Sequence, residues 1–272
     1  MLTFFLWLVF FFTLQSLVNM LVAKAYRVGV ERFTLFADPF FTLFQRRIGE
    51  TEYVVGWLPV TCSVKITGMV PPEVEEPTAP NARDLYARPL FQRFIIAFSG
   101  PLAVILFAAA AWGFAGAEVA PLLPFLGGLV GITVLVALLS KRALLPSRLL
   151  QFTVFISYGL ALMGLTWLYE DYFPTVEVLR ELLVGDIGNY ILPGDLRFSD
   201  PGVLPATMGA VLGLLNLLPF PGMVGYILPD TVAQALTGYG VSERYRDSFG
   251  IVGFLLYIGL YGFIIYRLVG LA

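Results

Sequence analysis

Leu212-Gly-Leu-Leu-Asn-Leu-Leu-Pro-Phe-Pro-Gly-Met-Val-Gly-Tyr226 is the stretch on which the fold turns. It closes an apolar run that begins near residue 203 and carries no charge. Pro219 and Pro221, two apart, both lack a backbone N–H, so a helix cannot run through them. The residues leave two readings open. Either a span ends here at the interface, or the chain unwinds at membrane depth, where non-helical backbone persists only beneath protein or beside a water-filled cavity. In the second case the break marks a binding site, and Asn216 is an intramembrane polar group in need of partners.

The composition around this stretch agrees with a membrane setting. Of 272 residues, 58% are hydrophobic and 13% charged, against roughly 45–50% and 25% in soluble domains. Disorder is excluded as well, because it requires low hydrophobicity and high charge. A net charge of −2 gives no basic surface for nucleic acid. Cys62 is the only cysteine, so no disulfide forms within the chain. Histidine is absent altogether, which removes imidazole both as a base and as a metal ligand.

A membrane-crossing helix needs roughly 20 apolar residues. Residues 1–23, 94–116, 120–139, 149–168, 203–220 and 249–269 meet that requirement, the fifth least regularly. The chain is therefore expected to be an α-helical integral membrane protein with about six transmembrane helices. The first run has no basic residue before it and Lys24 directly after it, which favours a retained span over a cleaved signal peptide. Lysine and arginine concentrate on one side: nine between Lys24 and Arg93, then Lys141, Arg142, Arg148, Arg244 and Arg246. The opposite loop, 170–202, has Arg180 and Arg197 among seven acids. By the positive-inside rule the 24–93 loop is cytoplasmic, and both termini face outward from a bacterial-type cytoplasmic (inner) membrane.

The segments follow in order. The first helix (1–23) leads to a cytoplasmic element at 24–70 whose β-branched and aromatic runs, broken by Gly and Pro, read as a small antiparallel sheet at the membrane. A Pro-rich acidic linker (71–92) precedes the second helix (93–117). An extra apolar hairpin (118–169) and the acidic outer loop with a short amphipathic helix around 174–184 (170–202) come next. The broken helix (203–226), a cytoplasmic loop (227–248) and a last helix (249–272) complete the chain. Asp230 with Thr231, and Arg244, Arg246 and Asp247, read as ordinary surface charge on a cytoplasmic loop, and Cys62 reads as a buried, inert thiol.

The 216–226 stretch resembles the Asn-Leu-Leu-Pro-x-Pro-x-Leu-Asp-Gly-Gly motif of the site-2 protease family (M50-type intramembrane zinc metalloproteases). Further likenesses lie at Val22-Ala-Lys-Ala-Tyr-Arg, at Trp57-Leu-Pro-Val-Thr-Cys-Ser-Val-Lys, at Arg93-Phe-Ile-Ile-Ala-Phe-Ser-Gly-Pro-Leu-Ala and at Leu183-Val-Gly-Asp-Ile-Gly-Asn. Their order follows that of the family across most of the chain. The resemblance implies a site-2-protease-like core, in which zinc is held by His-Glu-x-x-His on the first helix and by the motif aspartate.

Where the family has those groups, this chain has others. Gln15 and Asn19 stand at the two histidines, Ser16 at the catalytic glutamate and Val224 at the aspartate. Neutral amides are poor zinc ligands and no carboxylate lies within the spans, so the expectation is no metal, no cofactor and no proteolysis. Gln15, Ser16 and Asn19 are expected to hydrogen-bond one another or Asn216. The resulting reading is a pseudoprotease that binds membrane proteins or transmembrane segments, with lipid around it, as a scaffold in a larger complex. Its groove would involve Asn216, Pro219, Pro221, Trp57 and Val64, with the sheet edge within 53–66 open to strand addition. The alternative is an active metalloprotease with an atypical metal centre. A transporter or channel role ranks lower, since the spans hold no charge.

Overall fold

A computed structural model describes residues 2–68, 82–114 and 202–217 continuously, together with shorter pieces within 124–164, 191–197, 226–233 and 251–259. The first helix, α1 (Leu2–Ala25), contains neither Gly nor Pro, and Lys24 in its last turn complements the negative end of the helix dipole. It ends in a Schellman turn: Arg27 takes φ 57°, Val28 N–H donates to Ala23 O at 2.9 Å and Arg27 N–H to Lys24 O at 2.9 Å.

Two long strands follow, β1 (Val30–Ile48) and β2 (Thr51–Ile66). They are joined at Gly49, whose φ of 62° suits a residue without Cβ. Each bends midway, and the register resolves four segments. Residues 42–48 run antiparallel to 51–56, and 30–35 run antiparallel to 62–66. Arg32 to Leu35 also lie beside Glu52 to Val55 in the same direction. The sheet is thus mixed, in the order 42–48, 51–56, 30–35, 62–66, and not the purely antiparallel sheet expected. The cause lies in its connections: 36–41 and 57–61 each skip a neighbouring segment and cross at one end of the sheet. Gly56 permits the crossing, since a Cβ there would stand 2.2 Å from Ala37 O.

Part of the linker expected over 71–92 is structured. Leu85–Ala87 form a 3-10 turn with Leu85 and Tyr86 buried. Gly29 N–H donates to Arg83 O and Leu85 N–H to Thr67 O, which sews this turn to the sheet. The second helix, α2 (Leu90–Phe114), starts three residues ahead of Arg93 and contains Pro101. A two-residue pair, β3 (Ile191–Leu192) with β4 (Leu196–Arg197), precedes α3 (Val203–Leu215).

Two helical stretches, Phe5–Ala25 and Phe91–Phe114, are long and apolar enough to cross a membrane, and α3 is shorter. The stretches 120–139, 149–168 and 249–269 fall largely outside the described residues. Three apolar clusters hold the core together. Met20, Ala23, Phe33, Ile66, Leu85 and Ile96 join α1, the sheet and α2. Leu8, Phe11, Phe12, Val104, Met208 and Leu212 join the three helices. Ala108 and Trp112 meet Ala206 and Ala210. Small residues let the helices approach closely: a Cβ on Gly213 would lie 2.6 Å from Ile105 Cγ1.

Candidate functional site

The polar residues of α1 occupy successive turns of one buried face. Gln15, Ser16 and Asn19 are each at least nine-tenths buried. Asn19 Oδ1 accepts two hydrogen bonds from α2, from Ser99 Oγ and from Gly100 N–H, both at 2.9 Å. The contact needs Gly100: a Cβ there would lie 2.8 Å from Asn19 Oδ1, from Gln15 Cγ and from Gln15 O. Ser16 Oγ donates to Cys62 O at 2.9 Å, which fastens α1 to the 62–66 edge of the sheet. Burial pushes the Cys62 thiol up to about 11, with smaller opposing hydrogen bonds from Ser16 and the Ser63 backbone.

These bonds differ from those expected. Gln15, Ser16 and Asn19 do not pair with one another or with Asn216; they are directed at α2 and at the sheet. Asn19 is taken up by α2 and Ser16 by the sheet, although residues three and four apart on a helix lie close enough to meet. Asn216 closes α3, its Nδ2 donating back to Leu212 O at 2.9 Å. Of the other positions assigned to a groove, Trp57 stacks on Phe40 and Phe41 where the sheet connections cross. Val64 packs against the Met20–Ile96 cluster. Pro219, Pro221 and Val224 lie outside the described residues.

Leu217 follows α3 and is fully buried. In a continuing helix its carbonyl would accept from residue 221, but Pro221 has no N–H to give. Tyr158 OH supplies the missing donor, at 3.2 Å from Leu217 O. Tyr158 lies in the helical piece within 154–164, where Val154, Tyr158 and Leu162 are buried at helical spacing. This piece therefore docks on the start of the motif, where Pro221 offers no N–H of its own.

A second buried polar group lies where the sequence predicts surface charge. Asp230 and Thr231 are both 1% exposed, not surface residues. Tyr86 OH donates to Asp230 Oδ2. Arg93 lies over the Tyr86 ring, 5.0 Å from its centroid, and donates to the carbonyls of Tyr86 and Arg88. Burial, then the neighbouring Asp230 carboxylate, holds the Tyr86 hydroxyl far above its ordinary range. One signal was present: Asp230 is the only charged residue between Asp200 and Glu243, and a lone charge in apolar sequence is one that finds a buried partner.

Polar side chains thus lie between apolar helices, two of them of membrane-crossing length, with a mixed sheet along the first. The sequence profile of peptidase family M50 matches residues 3–260, and the chain belongs to that family, whose members are membrane-embedded.

Zinc, the metal this family implies, does not fit the donors present. Gln15 and Asn19 are neutral amides and Ser16 a neutral hydroxyl, where zinc prefers imidazole, thiolate or carboxylate. Asn19 Oδ1 is moreover committed to two donors from α2. Among the described residues, no group of three His, Cys, Asp or Glu side chains comes together.

Proposed function

We propose that this chain is a proteolytically inactive member of its family that serves as a membrane-embedded binding or scaffold subunit of a larger membrane complex. The observation that carries the reading is the use of Asn19: at the place of a zinc ligand, its oxygen is given over to joining α1 and α2. The absence of histidine from the whole chain supports it, as does the simultaneous replacement of every ligand and of the base by Gln15, Ser16, Asn19 and Val224. The proposal includes six spans, both termini on the outer side and a cytoplasmic sheet, on the strength of the charge distribution.

What the scaffold binds is a transmembrane segment or an extended peptide of another membrane protein. Segment 51–56 lies between two neighbours, so strand addition is confined to the outer edges of the sheet, of which 62–66 runs beside α1 and its polar residues. The test joins two measurements on the full chain isolated from its native membrane. Elemental analysis is expected to give metal far below one ion per chain, with no cleavage of a transmembrane substrate after zinc is added. Mild-detergent purification at native expression is expected to recover stoichiometric membrane-protein partners. Near-stoichiometric metal with metal-dependent cleavage overturns the inactive reading, and recovery of the chain alone overturns the scaffold.

A further inference from the structure

The outer edge of the sheet, 42–48, is built unlike its other segments. Phe40 is 86% exposed and Leu43 63%, and Phe41 and Phe44 are exposed as well. Arg46 and Arg47 follow directly, both exposed. Elsewhere in the sheet cations meet acids: Arg32 meets Asp38 at 3.0 Å and Lys65 meets Glu31 at 2.7 Å. Arg46 and Arg47 make no ion pair among the described residues.

The depth of this strand can be read along α1. Lys24, the first charge after the apolar run, donates to Tyr53 OH at 2.8 Å, so Tyr53 is level with the end of the span. Arg46 pairs with Tyr53 in register, and Arg47 with Glu52; both arginines therefore lie at that level. Toward its other end the sheet descends beside α1 until Cys62 O meets Ser16, eight residues or about 12 Å deeper at 1.5 Å per residue. Thr42 pairs with Gly56 on that descending side, and Phe40 and Phe41 stack on Trp57 at the far end. The strand thus sets apolar side chains at hydrocarbon depth and two unpaired guanidinium groups where phosphates lie.

We propose that the edge strand is a binding site for an anionic phospholipid: Arg46 and Arg47 engage the headgroup phosphate, while Phe40, Phe41, Leu43 and Phe44 lie against its acyl chains. Guanidinium groups suit phosphate oxygens, and cations near an anionic surface are each worth about a fivefold gain in binding. The charge also separates this occupant from the alternative, because a partner strand would bind the same edge without regard to lipid charge. The site is independent of the scaffold reading above.

The test titrates the detergent-solubilised full chain with phosphatidylglycerol and with phosphatidylcholine under native mass spectrometry. Phosphatidylglycerol is expected to bind about 25-fold more tightly, two arginines at about fivefold each. The R46Q/R47Q variant is expected to lose that preference and R46K/R47K to keep most of it. In proteoliposomes containing phosphatidylglycerol, a nitroxide at Phe44→Cys in a Cys62→Ala chain is expected to be reached by oxygen and shielded from a nickel chelate. One at Glu50→Cys is expected to be reached by the chelate. Equal affinity for the two lipids, a preference that survives R46Q/R47Q, or a label at position 44 that is shielded from oxygen as well as nickel (as under a partner strand) overturns the proposal.

Discussion

Gly100→Ala, combined with Asn19→Ala, probes the α1–α2 junction most sharply. A Cβ at position 100 would stand 2.8 Å from three atoms of α1, one of them the backbone oxygen of Gln15, where ordinary contact begins at 3.4 Å. Backbone cannot rotate away, so the helices must separate by about 0.6 Å at this point. Overpacking of that kind costs roughly 1–3 kcal/mol. The same movement stretches both bonds to Asn19 Oδ1 from 2.9 Å to about 3.5 Å, beyond useful hydrogen-bond length, and forfeits about 1 kcal/mol more. Asn19→Ala alone loses those two bonds and costs about 1–2 kcal/mol. Because Gly100→Ala has already broken them, and Asn19→Ala removes one of the three obstructing atoms, the double variant should be less damaged than the sum by about 1 kcal/mol. The assay is unfolding of the full chain in mixed micelles by increasing dodecyl sulfate, followed by the fluorescence of Trp7 and Trp112. Additivity within about 0.5 kcal/mol, or wild-type stability for Gly100→Ala, would refute the claim that Asn19 binds α1 to α2 through a glycine-only contact.

Tyr158→Phe keeps the ring in place and strips the donor from Leu217 O, leaving a buried carbonyl unsatisfied; a loss of about 1–2 kcal/mol in the same assay, with faster proteolysis of the hairpin, is expected. Tyr86 makes stability depend on alkaline pH. Above the ordinary value of 10.0 the unfolded chain releases the tyrosine proton while the folded chain retains it, so stability falls as pH rises past about 10, and Tyr86→Phe should flatten that slope. Cys62, with its thiol near 11, should react with a maleimide at pH 8 about a hundredfold more slowly than a free thiol of ordinary pKa; labelling at the free-thiol rate would contradict its burial.

What the sequence disclosed was whatever depends on local chemistry. The uncharged run to Ala23 followed by Lys24 specified α1, and the β-branched and aromatic runs after Val28 specified strands. Pro219 and Pro221 marked an interruption, and α3 closes at Leu215 with Asn216 turned back on Leu212. The pairing of the sheet was not legible, because the crossing of 36–41 over 57–61 depends on one close approach at Gly56, and a glycine in a strand does not announce which backbone will pass it. Nor were the partners of Gln15, Ser16 and Asn19. Their spacing placed them on one face of a helix, but which neighbour faced them was a matter of packing. Asp230 was misjudged for a related reason: a charge beyond the end of a span looks solvated unless the turn that covers it, here Leu85–Ala87 after a proline-rich linker, is known to fold back.

Asn19 also bears on how such a fold would persist without a metal, as the proposed inactive reading requires. A zinc ion bound by α1 and the motif would tie those two elements together, and structural metal ties are worth many kcal/mol. On the proposed inactive reading that tie is gone, and α1 has to be held some other way. Ser16 and Asn19 make bonds of about 1 kcal/mol each, but they act alongside close contacts that need Gly100 and Gly213, and alongside Phe11 and Val104, buried where α1, α2 and α3 meet. The start of the motif is held separately, by Tyr158 at Leu217 O, and Asp230, beyond the motif, is held by Tyr86. On that reading the attachment passes from one strong point to several weak ones on different elements. It follows that restoring histidines at 15 and 19 and an aspartate at 224 would first break the Asn19 bonds, so zinc binding in such a variant should come with a loosened α1–α2 junction instead of a simple gain in stability.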